Sequence, residues 1–430
     1  MEIKIIGGGL AGSEAAYQVA RMGETAVVYE MRPSRSTPAH KTGDLAELVC
    51  SNSLKSQELT NAHGLLKEEL RLLSSLIVDA ADRCAIPGGK ALVVDRGKFA
   101  ERVTSALQDH PRVRVVRQER TSVPDEGIVV VATGPLTSPP LSEWIKERTG
   151  TTNLHFFDAI SPIIDGESID REHAFFATRY TADGDAYLNC PLTREEYECF
   201  YDALIEGKRV DLREFEGTPY FEGCLPVEVM AERGRQTLVF GPMKPVGLRD
   251  GKTGREPYAV LQLRREDASG SMYNMVGFQT KLTYPEQERV FRLVPALRNA
   301  VFLRYGSIHR NTFINAPAIL SGLQLKADQR IFFAGQITGV EGYMESTAMG
   351  LLAGVAAVCY GRGRVFTPPE PTTCVGALYR YLGTERKDYQ PMNVNWGLVE
   401  GYNKRKKEEV VRRALETVQE WMRRVEEQLR

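Results

Sequence analysis

Residues Met1 to Glu30 read MEIKIIGGGLAGSEAAYQVARMGETAVVYE, and the architecture of the whole chain turns on them. Ile3, Ile5 and Ile6 make a short buried-strand run, Leu10 to Met22 has helical spacing with small residues, Gly23 caps it, and Ala26 to Glu30 reads as a second strand. Between first strand and helix, Gly7, Gly9 and Gly12 form G-x-G-x-x-G, and acidic Glu30 closes the next strand. Each part has its own physical reason. Gly7 allows a tight turn, Gly9 lets the backbone approach a pyrophosphate, and Gly12 lets the helix pack on the sheet. The loop Gly7, Gly8, Gly9, Leu10, Ala11 and Gly12 thus presents a helix N-terminus to phosphate charge. Glu30 is suited to accept from an adenosine ribose, which favours FAD or NAD over NADP, and Arg32 beside it joins the cofactor-binding candidates.

Two further strands lie far along the chain. Gly127 to Thr133 is a buried-strand run that exits through Thr133 and Gly134, and Arg330 to Ala334 is another that exits through Gly335 and Gln336. The second exit leads into a glycine-rich segment, containing Tyr343 and Glu345, that enters a helix. A strand, a Gly-polar pair and a helix start suit reduced flavin, which carries negative charge on its pyrimidine side, so FAD is favoured over NAD. No second G-x-G-x-x-G occurs, so a nicotinamide reductant would bind transiently.

The expected fold is therefore α/β: a Rossmann-like, doubly wound FAD-binding domain, discontinuous because a mixed α+β domain is inserted in it. The expected divisions are residues 1–150, the insertion 151–324, and 325–430 with an amphipathic C-terminal helix from about Asn403. A chain of 430 residues has room for such a division.

Composition excludes disordered and disulfide-scaffold classes, with 42% hydrophobic and 26% charged residues. The balance of 55 Lys plus Arg against 56 Asp plus Glu carries no overall signature of a nucleic-acid binder. It hides an asymmetry, however: Gly241 to Arg310 holds 12 basic and 6 acidic residues, Thr181 to Glu232 only 4 basic and 13 acidic. Arg249, Lys252, Arg255, Arg264, Arg265, Arg289 and Arg292 are candidate phosphate contacts, although each alone reads equally well as part of a solvated face. Seven cysteines without C-x-x-C give no metal pattern, and isolated cysteines ordinarily pack as small hydrophobes. The start directly on a strand leaves no room for a secretion signal, and the longest nearly apolar stretch, Gly350 to Tyr360, is shorter than the roughly 20 residues of a spanning helix. A cytoplasmic protein with no membrane partner and no metal is expected.

Four blocks carry a closer resemblance: Cys50-Ser51-Asn52-Ser53-Leu54-Lys55, Phe221-Glu222-Gly223-Cys224-Leu225-Pro226, Gly241 to Leu248 (GPMKPVGL), and His309 to Asn315 (HRNTFIN). Together with the glycine loop, the chain resembles the folate- and FAD-dependent tRNA (uracil-5-)-methyltransferase family. Related flavin enzymes that modify wobble uridine share the loop and the Gly335-Gln336 region but lack this cysteine pair. Ile86-Pro87-Gly88-Gly89-Lys90 departs from the family's usual V-P-A-G-G-A, which puts flavin contacts near Lys90 in question.

The resemblance implies transfer of a methylene carbon from methylenetetrahydrofolate, through reduced FAD, to C5 of uridine 54 in the tRNA T loop, with NADH or NADPH reducing the flavin. C5 of a pyrimidine becomes nucleophilic only after addition at C6, which a thiolate does well. By resemblance Cys224 is that nucleophile, with Glu228, Arg233 and Lys244 as candidates for shaping its surroundings. Cys50 is the second catalytic thiol, either protecting the flavin-borne carbon or removing the C5 proton. His309 is the implied folate-binding residue, its imidazole stacked on the pterin. The target base must leave its stack to be reached. An FAD-dependent thiol oxidoreductase and a non-enzymatic flavin-binding RNA module are the competing classes; the first needs a close redox cysteine pair and the second needs neither Cys50 nor Cys224.

Overall fold

The computed structural model describes residues 1–150, 154–179, 184–210, 225–250, 252–386 and 389–429, without the side chains of residues 156, 157 and 310. Its largest sheet has seven strands in the order Leu320–Ser321, Gln324–Leu325, Asp328–Phe333, Ile128–Val131, Glu2–Ile6, Thr25–Tyr29, Val113–Val116. The last five are parallel, with Ile5 beside Val28 on one side and Val130 on the other, and Ile331 beside Val129. The strand before Gly335 therefore shares a sheet with the strand before Gly7, as the spacing of their glycine exits anticipates. Ile3, Ile5, Val129 to Val131, Ile331 and Phe333 are completely buried. Near-continuous β-branched and aromatic runs of this kind mark strands covered on both faces.

The cover includes two helices that approach closely. Helix Leu10–Arg21 lies against helix Tyr343–Gly361, and small residues set the spacing: a Cβ on Gly350 would stand 2.2 Å from Ala11 O, and one on Gly354 2.8 Å from Ala15 O. The second helix is 19 residues long, longer than the apolar run apparent in the sequence, and by length and composition it could cross a membrane. It is instead a core helix, buried from Met344 to Cys359.

The segment between the second and third parallel strands adds a three-stranded sheet, Ser53–Ser56, Ala91–Val94 and Ala85–Ile86, and helices Ala62–Leu72, Leu76–Arg83 and Arg96–Gln108. Asn61, Ser75 and Asp95 each cap one of these helices through the side chain. Helix Lys407–Leu429 docks on this region and buries Val410, Val411, Val418, Trp421 and Met422, the stripe expected of an amphipathic helix.

A second hydrophobic core, with Tyr197, Phe200, Leu261, Leu263, Met275, Phe278 and Phe291, lies under a six-stranded antiparallel sheet. Its strands are Phe175–Ala177, Tyr187–Leu192, Ala259–Arg265, Met272–Met275, Ile163–Asp165 and Phe302–Arg304, all drawn from between the fourth and fifth parallel strands. Leu154–Ile160 and Ser307–Phe313 lead into and out of this part as an antiparallel ribbon, with Ile160 opposite Ser307.

Candidate functional site

Two adjoining clefts of about 1000 and about 1430 Å³ open along the carboxyl ends of the parallel strands, and Val49, Pro135, Leu136, Gln336 and Tyr343 line both. The first cleft is walled by Gly7, Gly9, Leu10, Ala11, Glu30, Arg32, Thr133, Gly134, Gln336 and Tyr343, ten of the residues singled out in the sequence. The other three glycines stand behind it. Gly8 donates its N–H to Glu30 Oε2 at 2.9 Å. A Cβ on Gly12 would meet Gly7 O at 1.8 Å, and one on Gly335, whose φ is +80°, would meet Ala11 Cβ at 2.7 Å. Gly9 differs: a Cβ there would have nothing within 4 Å, because the position faces the open cleft. The helix that follows Gly9 has no side-chain cap and no acidic residue in its first turn. Its amides are therefore free for an anion.

Glu30 does more than face this cleft. Its oxygens accept from Gly8 N, Arg32 N, Arg32 Nε at 2.9 Å and Arg32 Nη2 at 3.2 Å, and Arg32 also pairs with Glu47 at 3.1 Å. Burial raises the Glu30 carboxyl, but the hydrogen bonds and charge of Arg32 outweigh it and hold the group below the usual carboxylate range. The carboxylate thus ties the glycine loop to a buried arginine. His40, also on the wall, is pushed down to about 4 by burial and by Arg32, so it is neutral at neutral pH.

Cys50 lines the second cleft on a loop gripped from both halves of the molecule. Tyr343 Oη accepts from Cys50 N at 2.9 Å and Ser51 N at 3.2 Å. Arg304 donates to Val49 O at 3.1 Å and Cys50 O at 3.3 Å, while Arg96, paired with buried Glu266 at 2.7 Å, donates to Leu48 O and Cys50 O. Arg264 reaches Asn52 Oδ1 at 2.9 Å and Ser51 Oγ at 2.7 Å, and Asn52 Nδ2 donates to Val94 O and Arg265 O. Arg264 is thus a buried brace of the Cys50 loop, not a surface phosphate contact.

His309 lies in the same cleft, its Nε2 2.9 Å from Ser307 Oγ. Burial, then the charges of Arg304 and Lys41, lower its pKa, which keeps the ring neutral and free to stack. Three carboxylates share this wall. Burial, followed by the Asp158 charge, holds Glu341 well above the carboxylate range, and Gln336 Nε2 donates to it. Glu345 is also buried, but Lys55 at 3.9 Å and His63 at 3.4 Å keep it ionised. The cleft therefore holds two carboxyls four residues apart whose pKa values are pushed in opposite directions. Glu345 Oε2 and the Nδ2 groups of Asn274 and Asn311 are buried here without a protein partner among the described residues. Buried polar atoms of this kind can take further hydrogen bonds from whatever fills the cleft, water included.

Cys224 lies outside the described residues, as do Phe221 to Gly223. Of its expected neighbours, Glu228 is turned inward and accepts from Thr280 Oγ1 at 3.0 Å and Lys281 N at 2.6 Å. Arg265, Lys252, Arg289 and Arg292 form surface ion pairs with Asp185, Glu172, Glu286 and Glu288. Lys90 pairs with Glu58 at 2.6 Å and lines neither cleft. All six described cysteines are free thiols. Sequence reasoning missed Arg96, Arg304, Glu266, Glu341, Asn274 and Asn311. Their only signal is three-dimensional, except that Glu341 falls in the glycine-rich segment that leads to Tyr343.

A family model described as glucose inhibited division protein A matches residues 2–364. The chain is 54% identical over 427 residues to a Syntrophus aciditrophicus protein named methylenetetrahydrofolate--tRNA-(uracil-5-)-methyltransferase TrmFO, covering 97% of each. It is 52% identical to the Aquifex aeolicus protein of the same name, over 98% of this chain and 96% of that protein. Among solved structures, Aquifex aeolicus GidA in its form II crystal superposes with a TM-score of 0.72 at 16% identity, covering 99% of this chain and 74% of that one. At that identity the likeness speaks for the fold.

Proposed function

The chain belongs to the methylenetetrahydrofolate--tRNA-(uracil-5-)-methyltransferase family, and on that premise we propose that it forms 5-methyluridine at position 54 of the tRNA T loop. Carbon comes from methylenetetrahydrofolate, and electrons come from NADH or NADPH by way of FAD. We further assign residues 1–150 and 325–430 to a discontinuous, doubly wound FAD-binding domain and 151–324 to the insertion, and place the enzyme in the cytoplasm.

The observation that carries this reading is Cys50, which lines the second cleft with His309 and stands next to Val49, a residue that lines both. The first cleft fits FAD: an uncapped helix N-terminus stands beside Gly9, whose open side leaves room for a pyrophosphate. Gly7, Gly9, Leu10, Ala11, Thr133, Gly134, Gln336 and Tyr343 would hold it. FAD bound there supplies a carrier for the one-carbon unit and for two electrons.

The remaining steps belong to the chain. Cys224 adds as thiolate to C6 of the uridine, which makes C5 nucleophilic, and it leaves again when the C5 proton is lost. His309 offers a neutral face to the pterin, and the unpartnered amides of Asn274 and Asn311 offer donors to it. Tyr343, Arg96, Arg264 and Arg304 fix the loop that presents Cys50. Cys50 either shields the carbon in transit or takes the C5 proton.

Purified protein incubated with unmodified tRNA, labelled methylenetetrahydrofolate and NADH or NADPH should place label at the T-loop uridine, as located by nuclease mapping. Label at a wobble uridine, or none, overturns the proposal. Cys224→Ala should abolish labelling, and full activity of that variant would remove Cys224 from its role.

A further inference from the structure

Beside the second cleft, and sharing Ile160 and His309 with it, runs a groove lined by Tyr284, Tyr305, Leu303, Arg304 and Lys41. Two aromatic rings on its wall, Tyr284 and Tyr305, continue a pile that starts at Phe302 behind them. Tyr284 stacks on Tyr305 with centroids 4.6 Å apart and planes 15° apart, and Tyr305 stacks on Phe302 at 5.5 Å and 10°. The inner ring is braced by the Arg292 guanidinium, 5.9 Å from the Phe302 centroid, and the middle one by the Tyr305 hydroxyl, which donates to Glu288. The outer ring, Tyr284, is 55% exposed at the start of helix Tyr284–Phe291.

From this arrangement we infer that Tyr284 is a stacking platform for an unpaired base of the RNA substrate next to the base that enters the cleft, with Lys41 on the adjoining phosphate.

The argument has three parts. A wide aromatic face left in water at the end of a rigid stack is a poor use of apolar surface unless a planar partner covers it, and base–aromatic stacking is tolerant of sequence. The charge beside it suits a polyanion. Glu286 and Glu288 are paired with Arg289 and Arg292, whereas the Lys41 ammonium has no carboxylate partner among the described residues. Finally, a base extruded into the Cys50 cleft leaves its neighbours at the rim, and the rim at His309 is where the platform stands. This inference rests on the reading that the substrate is RNA and adds where its flanking nucleotide lies.

The test is fluorescence anisotropy of flavin-loaded protein with an unmodified T-arm hairpin RNA. Tyr284→Leu, which keeps apolar bulk but loses the ring face, should weaken binding about tenfold, the loss of one base stack. Tyr284→Phe should bind as the parent does. Lys41→Ala should weaken binding and make the salt dependence shallower by roughly one phosphate contact. An unchanged affinity for Tyr284→Leu overturns the platform. So does a raised methylenetetrahydrofolate requirement with unchanged RNA affinity, because the occupant would then be the folate's aryl tail. If the ring dependence holds but label goes to a wobble uridine, the platform stands and the choice of target uridine fails.

Discussion

The phenolic oxygen of Tyr343 accepts the backbone N–H of Cys50 at 2.9 Å, joining the start of a core helix to a loop 293 residues earlier in the chain. The phenol is partly buried, and its burial raises its pKa, so at neutral pH it is a neutral group able to accept these amides. The ring of the same residue lines both clefts.

Replacing that hydroxyl should tell positioning from packing. Tyr343→Phe leaves the ring but strips the Cys50 and Ser51 amides of their acceptor, a loss of about 1–3 kcal/mol for a buried donor. The methylation rate should drop at least about tenfold with flavin retained and the melting temperature only slightly lowered. An unaltered rate would mean that the loop is held by its arginines alone.

Gly9 and Gly12 should respond in opposite ways to the same added methyl. Gly12→Ala drives a Cβ to 1.8 Å from Gly7 O, so it should misfold or unfold at markedly lower urea concentration. Gly9→Ala meets no protein atom within 4 Å, so it should keep the parent's urea midpoint yet lose flavin on gel filtration. A flavin-loaded Gly9→Ala protein would contradict the placement of the pyrophosphate.

Much of the parallel-sheet half is legible in the sequence because its signals are local. The turn at Gly7, with φ +103°, and the buried runs around Ile5, Val130 and Phe332 are each encoded within a few residues. The grip on Cys50 has no such signal. Arg264 and Arg304 lie more than 200 residues from Cys50 and read as members of a basic surface stretch until folding turns them inward. Charge pattern alone does not distinguish a guanidinium that meets phosphate from one that meets a carbonyl. Similarly, the 19-residue helix looks shorter in sequence because Glu345, Ser346 and Thr347 interrupt its first turns, and of these Glu345 lines the second cleft and Ser346 the first.

Glu30→Gln should cost both stability and cofactor. The amide keeps an acceptor for Gly8 but removes the charge that faces buried Arg32. Breaking a buried pair costs about 3–5 kcal/mol, and the surviving Glu47 contact should limit the loss to about 2–3 kcal/mol. Urea titration should register the lower stability and absorbance spectra the lower flavin content. A midpoint equal to the parent's would show that Glu47 alone satisfies Arg32.

Lys67 supplies a pH signature. It is fully buried, donates to Leu54 O at 2.7 Å and His63 O at 2.9 Å, and burial lowers its pKa to about 7. In the unfolded chain a lysine titrates near about 10.4, so between about pH 7 and 10 the unfolded state binds the extra proton. This group therefore makes stability rise with pH across that window, by up to about 1.4 kcal/mol per unit, and adds no slope below it. In Lys67→Met the rise between urea midpoints at pH 7 and pH 9.5 should be smaller than in the parent. Equal slopes would place the titration elsewhere.

The ribbon of Leu154–Ile160 and Ser307–Phe313 gives the antiparallel part a shared doorway. Its way in and its way out pass side by side, with Ile160 directly across from Ser307, a separation of about 5 Å that a tight turn can close. The antiparallel part thus attaches at that doorway without threading through any of the parallel strands. The hold on Cys50 spans that doorway, because Arg264 and Arg304 belong to the antiparallel part whereas Tyr343 and Arg96 lie outside it. The position of the Cys50 thiol is therefore a joint property of the two parts.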